Sequence, residues 1–210
     1  MPRTPLDVPD PAVRRLSLYL RQLESLEYEQ VPTVSSRRLA ESLGLTDAQV
    51  RKDLGYFGQF GRPGVGYEVA ALIHRLRKIL GTDRISNTLM VGIGNIGRAV
   101  AAYHGFRDKG FELIALFDRD ERKVGKKVGR LTVQSLEEMD AVIAEHNIRL
   151  AILAVPVAAA QEVADLLIER GIRGILNFAP VQLRVPENVT VRHIDVAAEL
   201  EQLVFLTSLR

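Results

Sequence analysis

A chain of 210 residues with a formal net charge of +2 has room for one large domain or two modest ones, each with its own core. It contains no cysteine, which excludes disulfides, thiol redox sensing, thiolate nucleophiles and cysteine-built zinc sites. Its four histidines, His74, His104, His146 and His193, lie too far apart in sequence for a local metal motif. No apolar run reaches the roughly 18–20 residues needed to cross a bilayer. Met1-Pro2-Arg3-Thr4-Pro5 lacks the apolar core of a secretory signal. The expectation is a cytoplasmic protein with neither a membrane nor a metal partner. Thirteen Lys and Arg face ten Asp and Glu in residues 1–86, against fifteen and sixteen in the remainder, a basic lean too slight to argue for nucleic acid by itself.

Asp10 followed by Pro11 predicts a helix start, a capping carboxylate and then a proline whose missing N–H does no harm there. Val13, Leu16, Leu20 and Leu23, with Tyr19 and Leu26 beside them, recur at helical spacing. A second helix begins near Ser35, buries Leu39, Ala40 and Leu43, and ends at Gly44. Thr46-Asp47-Ala48-Gln49 fits a capping box that opens a third. The stretch from Gly58 to Tyr67 carries four glycines and one proline, which deny it a helix and suit a tight β-hairpin. Val69 to Leu80 is helical again, with Leu72, Ile73, Leu76, Ile79 and Leu80 on one side.

Two helices joined by Gly44 and Leu45, with a Gly-rich hairpin behind them, predict a winged helix-turn-helix. At about 100° per residue, the third helix turns Val50, Leu54 and Phe57 to a packing face. The opposite face presents Ala48, Lys52, Gly55 and Tyr56, flanked by Gln49 and Arg51. Taken alone this could be any solvated surface helix. With the hairpin it suits a major groove, where Arg reaches guanine bidentately, Gln suits adenine, and Lys and Tyr hold phosphate. Arg62 at the wing tip would lie along a minor groove. The expected DNA-facing set is Ser35, Thr46, Gln49, Arg51, Lys52, Tyr56, Arg62 and Gly64.

Gly81 to Asn87 is short and polar, and a domain boundary is expected there: a DNA-binding domain over 1–81, a second domain over 82–195, and a terminal helical segment over 196–210. Beyond the boundary, apolar strands alternate with helices. Strands are predicted at Thr88–Gly92, Leu113–Phe117, Leu150–Val155, Gly174–Phe178 and Val189–Ile194, with helices near 95–104, 137–146 and 157–170. That alternation predicts a mostly parallel, doubly wound α/β sheet. The last segment, Val196 to Leu209, is helix-like, with Val196, Leu200, Leu203, Val204 and Leu206 apolar.

The first of these strands runs into Gly92-Ile93-Gly94-Asn95-Ile96-Gly97. Gly92 makes the tight turn, Gly94 lets backbone approach a pyrophosphate, and Gly97 lets helix pack close on strand. Asp118, at the end of the second strand, would accept from an adenosine ribose and repel a 2′-phosphate, while Arg119, Arg122 and Lys123 nearby weaken that preference. The pattern predicts a Rossmann-like dinucleotide site. A dehydrogenase would also need a proton donor or acceptor on a substrate domain. No room is left for one, and His104 and His193 read as ordinary helix-end and strand-end residues, so the expectation is a non-enzyme.

Together these residues resemble the redox-sensing transcriptional repressors of the Rex family. The carrying motifs are Gln49-Val50-Arg51-Lys52-Asp53-Leu54, Tyr56-Phe57-Gly58, Phe60-Gly61 and Gly64-Val65-Gly66-Tyr67. In the second half they are Gly92-Ile93-Gly94-Asn95-Ile96-Gly97, Val155-Pro156 and Asn177-Phe178-Ala179-Pro180. The resemblance implies a homodimer whose C-terminal helix, here Val196 to Leu209, is swapped between the partner's two domains. It implies a pseudo-palindromic, AT-rich operator that is bound when NADH is scarce and released when NADH binds, with NAD competing for the same site. It implies that Tyr103 and Asp195 sense the nicotinamide, and that Arg21 on the first helix exchanges partners with Asp195. It also assigns Arg51, Lys52 and the wing from Arg62 to Gly64 to operator contacts. Pro63 departs from a basic residue found there in some relatives.

Overall fold

The computed structural model describes residues 8–61 and 64–208. The wing-tip residues Arg62 and Pro63, and Leu209 at the end of the predicted terminal helix, lie outside the described residues. The chain divides into two compact units, Met1–Arg84 and Ile85–Arg210.

In the first unit, α1 (Asp10–Tyr28) starts one residue earlier than expected: Pro9 is the cap, and Asp10 is the first helical residue, paired with Arg14 at 3.3 Å. Of the predicted stripe, Leu16, Tyr19, Leu20, Leu23 and Leu26 are buried and Val13 is half-buried. A short strand β1 (Thr33–Val34) precedes α2 (Ser36–Glu41), which Ser35 caps by accepting the Arg38 N–H at 3.1 Å. Thr46 caps α3 (Asp47–Gly55) by accepting the Gln49 N–H at 3.2 Å. The expected capping box is only half made, because the Gln49 side chain turns to Asp53 instead of back to the cap. After β2 (Tyr67–Glu68), α4 covers Val69–Leu80 and stops at Gly81, whose φ of 71° only a residue without a Cβ adopts readily.

Of the predicted hairpin within Gly58–Tyr67, the tip residues Arg62 and Pro63 lie outside the described residues, and the strand the structure describes is β2. β2 pairs antiparallel with β1, Thr33 opposite Glu68 and Val34 opposite Tyr67. The loop between α3 and β2 doubles back on itself so tightly that a Cβ on Gly61 would strike the Gly66 carbonyl, and one on Gly66 would strike that of Val34.

The second unit is a seven-stranded sheet in the order β5-β6-β4-β3-β7-β8-β9. It is built from β3 (Ser86–Val91), β4 (Phe111–Phe117), β5 (Lys127–Val128), β6 (Leu131–Gln134), β7 (Leu150–Leu153), β8 (Gly174–Asn177) and β9 (Thr190–His193). All pairings are parallel except the small β5–β6 hairpin. That hairpin was not expected from sequence. Its strands are only two and four residues long, too short for a periodic signal, and β6 pairs with β4 through only Leu116–Val133 and Phe117–Gln134. The five predicted strands are present, although four end one or two residues early.

Successive residues of β3 serve opposite faces, as period-2 geometry requires. Leu89 and Val91 pack with Phe117 and Leu153 under α6 (Met139–His146) and α7 (Val157–Glu169). Met90 packs with Leu116 and Ile152 under α5 (Asn95–Ala101) and a 3-10 turn at His104–Lys109. On this second face, Phe106 and Phe111 border an apolar groove of about 410 Å³ that runs over Leu150, Ile152, Leu176 and Thr190. The chain then enters α8 (Val196–Ser208), which buries none of its residues. Its Val196, Leu200, Leu203, Val204, Phe205 and Leu206 are all more than half exposed. None of the described helices is long and apolar enough to cross a membrane.

Candidate dinucleotide site and nucleic-acid interface

The chain leaves β3 for one neighbour, β4, and later crosses to the other, β7, so the strand order reverses beside β3. In open α/β sheets ligands bind outside the carboxyl ends of strands at such a switch point. Backbone bonds extend the ladder one residue past these ends. Gly92 N–H donates to Phe117 O at 2.9 Å, Ala154 to Val91 at 2.9 Å, Phe178 to Leu153 at 2.8 Å and Ile194 to Asn177 at 2.9 Å. The residues by which the expected strands overran the observed ones therefore form a continuous rim.

The three glycines of the turn differ in their surroundings. A Cβ on Gly92, whose φ is 96°, would strike the Ala154 carbonyl, and one on Gly97 would strike the Gly92 carbonyl. A Cβ on Gly94 would meet nothing within 4 Å. Two glycines close the turn against strand and helix, and the middle one leaves an open approach to backbone. Those residues fit a pyrophosphate met mainly by loop amides, since α5 is only seven residues long.

Asp118 stands at the end of β4, nearly fully buried. Its carboxylate accepts the Ile93 N–H at 2.7 Å, the Asp120 N–H at 2.9 Å and Lys123 Nζ at 2.8 Å. Burial alone would push its pKa up, but the bond from Lys123 and the two amides hold it below the ordinary value of 3.8. A carboxylate has about four acceptor sites, so one remains for a ribose hydroxyl, while the Ile93 bond braces the glycine turn and the other two fix the segment after β4. Asp120 beside it is held down to about 2 by Arg122.

Val155 and Pro156 lie where β7 passes into α7, with Val155 against Gly92. Asn177 is fully buried and turned into the loop that follows it, donating to Ala179 O and Val181 O at 3.0 Å and accepting from Ala179 N–H at 2.9 Å. It thereby shapes the Phe178-Ala179-Pro180 segment of the rim. Ile96 and Asn95 are exposed beside the glycines. Asp195 follows β9 and caps α8 by accepting the Ala197 and Ala198 N–H groups at 3.0 and 3.1 Å.

Tyr103 is not brought to this rim. It follows α5, makes an edge contact with Phe106 at 5.0 Å, and borders a cavity of about 170 Å³ with Phe111 and Leu113 from the first half of β4. Within one chain it therefore sits toward the strand starts, whereas Asp195 sits at the strand ends. Arg21 lies on α1 in the other unit, exposed and 3.7 Å from Glu24. Among the described residues, no group of three or more His, Cys, Asp or Glu is placed to hold a metal.

In the first unit, α3 buries Val50 and Leu54 and exposes Ala48, Arg51, Lys52 and Gly55. Arg51 bonds Asp47 at 2.6 Å and Ser36 Oγ at 3.1 Å. Lys52 has no partner among the described residues. Ser35 and Thr46 are exposed caps, Tyr56 is half-buried just past the helix, and Gly64 is exposed in the loop with φ 80°.

Sequence reasoning missed the most polar feature of this unit. Asp53 is fully buried, yet its carboxylate takes four bonds. Arg15 reaches it through Nε at 2.5 Å and Nη2 at 2.9 Å, Tyr19 Oη at 2.7 Å and Gln49 Nε2 at 2.7 Å. Burial pushes the Asp53 pKa up, but Arg15, Tyr19 and Gln49 together keep it below 3.8. The Tyr19 hydroxyl, buried beside that charge, is pushed well above its usual value. The signal was present: Asp53 lies on the packing face between Val50 and Leu54, where a carboxylate needs a partner, and Arg15 and Tyr19 stand one turn apart on α1.

Residues 83–181 match the family described as CoA binding domain, and residues 7–55 match a putative DNA-binding protein N-terminus. The chain is 48% identical over 197 residues to the redox-sensing transcriptional repressor Rex of Chloroflexus aggregans, covering 94% of this chain and 93% of that protein. Two solved structures of RSP, a Rex-family repressor, share its fold. One, in complex with β-NAD+ and operator DNA, is 39% identical with a TM-score of 0.90, covering 95% of this chain and 92% of that one. The other, with β-NADH, is 37% identical with a TM-score of 0.87, covering 98% and 95%. These relatives are named as repressors and not as enzymes. By sequence, domain order and fold, the chain belongs to the Rex family of redox-sensing transcriptional repressors.

Proposed function

We propose that this chain is a cytoplasmic, homodimeric repressor that binds NADH or NAD at the rim of its second unit and leaves a pseudo-palindromic operator when NADH binds. Residues 1–81 read DNA, residues 82–195 hold the dinucleotide and residues 196–210 join two copies. The observation that carries the reading is the glycine turn: two positions closed to a Cβ and one open, at the switch point of the sheet, in a chain that also exposes a helix-turn-helix. The relatives solved with NAD+ and operator DNA, and with NADH, support the ligands.

The dimer follows from α8. A helix with six apolar side chains more than half exposed loses on the order of 1–2 kcal/mol of burial per side chain if left in water. A second copy offers an apolar groove of complementary character on its sheet face. Because Tyr103 and Asp195 stand toward opposite strand ends of one unit, a sensor that uses both must join them across two copies, with Arg21 free to trade Glu24 for Asp195. Two reading helices span adjacent half-sites only when one helical turn apart, roughly 34–36 Å. NADH acts by favouring a dimer that does not hold that spacing, and its effect is bounded by its differential affinity for the two forms.

The decisive experiment titrates a labelled AT-rich palindrome with the protein in NADH, in NAD and in neither. Operator affinity is expected to fall with NADH and persist with NAD. Equal affinity in all three conditions would overturn the reading.

A further inference from the structure

The buried network of the first unit and the exposed face of α3 meet at one residue, Gln49. Its amide nitrogen donates to Asp53 Oδ1 at 2.7 Å. A carboxylate accepts and never donates, so the nitrogen must be the end facing Asp53, and the usual ambiguity of an amide flip is removed. Asp53 in turn cannot turn away: Arg15 grips both its oxygens and Tyr19 holds Oδ2 at 2.7 Å. What remains of the Gln49 amide is Oε1 and a second N–H, neither with a partner among the described residues. Gln49 is half-buried at the flank of the face that exposes Ala48, Arg51 and Lys52. One acceptor beside one donor matches adenine in the major groove, which offers N6–H as donor and N7 as acceptor.

We infer that Asp53 is a positioning residue for operator reading: anchored by Arg15 and Tyr19, it holds the Gln49 amide so that α3 presents an acceptor–donor edge to one adenine in each half-site. Asp53 itself touches no DNA. This rests on the repressor reading above and adds to it the base that one residue reads and the group that orients that residue.

The test uses the full chain without NADH and an operator duplex selected by the wild-type protein from random sequence. Each adenine of a half-site is replaced in turn by 7-deazaadenine, which removes N7 and keeps the base pair. For the wild type, one position per half-site is expected to weaken binding by roughly 5- to 150-fold, the range of a bidentate contact. In Gln49→Ala that position should lose its penalty. In Asp53→Asn, whose amide can donate as well as accept, the penalty should shrink to about that of Gln49→Ala. A full penalty in a folded Asp53→Asn protein would overturn the inference. So would the absence of any sensitive adenine in a wild type that still binds operator and releases it with NADH, an outcome that leaves the repressor reading intact. A wild type that selects no duplex overturns both. If Asp53→Asn does not fold, the wild type still decides by NMR. One Gln49 side-chain amide proton should be shifted and protected from exchange, and an ordinary, rapidly exchanging pair would overturn the inference.

Discussion

The two units build their sites from different materials. At the sheet rim the working parts are mostly backbone: a turn shaped by three glycines, a row of amides continuing the ladder, and Asp118 bracing that turn. In the helix-turn-helix they are side chains on a short helix, kept in place by one buried carboxylate with four donors. Backbone sites tolerate changes of side chain and fail when a Cβ is added. Side-chain sites behave in the opposite way, because truncating one partner leaves the others buried and unpaired.

The largest expected effect tests the backbone half. Gly97→Val puts atoms into the Gly92 carbonyl, so the second unit should lose NADH binding by at least about 100-fold and melt earlier, by calorimetry, as overpacked interiors do. Gly94→Ala separates binding from folding. Its Cβ meets nothing, so the melting temperature should hold while NADH affinity falls about tenfold, a loss of roughly 1.4 kcal/mol. An unchanged affinity would mean that the open glycine does not face the ligand.

Next comes the side-chain half. Asp53→Asn should destabilise the protein by about 2–4 kcal/mol in denaturant, somewhat less than for a wholly buried pair because Arg15 keeps partial contact with solvent. Acid sharpens this comparison. The Asp53 carboxyl is held below 3.8 in the fold, so its contribution is complete above that pH and is lost as pH falls through the lower folded value. The Asn variant should lack that part of the acid limb, and identical acid limbs would show that Asp53 is not held as described.

Arg51→Ala removes an exposed cation, paired with Asp47, to which the proposed function gives an operator contact. Operator affinity should drop about 10- to 100-fold with NADH affinity nearly unchanged, whereas loss of both would indicate misfolding. The smallest effect falls on Lys123→Ala. Without that ammonium, Asp118 presents a less compensated charge, so NADPH should weaken several-fold while NADH changes by about threefold or less. Equal changes for both cofactors would place Lys123 outside the ribose region.

This division also governed what the sequence revealed. Gly92 and Gly97 were legible because the close approach at each leaves no room for a Cβ. The long helices of the first unit were legible because Leu16, Leu20 and Leu23 on α1, and Leu72, Ile73 and Leu76 on α4, recur at helical spacing. The β5–β6 hairpin was not, because its few residues gain their strand character from the edge of β4 and not from their own pattern. Nor was the pairing of β2 with β1, since it joins residues more than thirty positions apart through two-residue strands. The role of Gln49 was half-read: its place on α3 was visible, but the Asp53 bond that orients its amide depends on α1 packing, which periodicity does not encode. Tyr103 shows the same limit, because the shortness of α5 decides which end of the strands it reaches.

The bare apolar surface of α8 has a genetic consequence. On the pairing proposed above, a subunit that keeps this helix but carries Arg51→Ala still enters pairs with intact subunits. Each mixed pair reads only one half-site, so a defective allele sequesters working protein, and repression should fail even in cells that still carry a good copy of the gene.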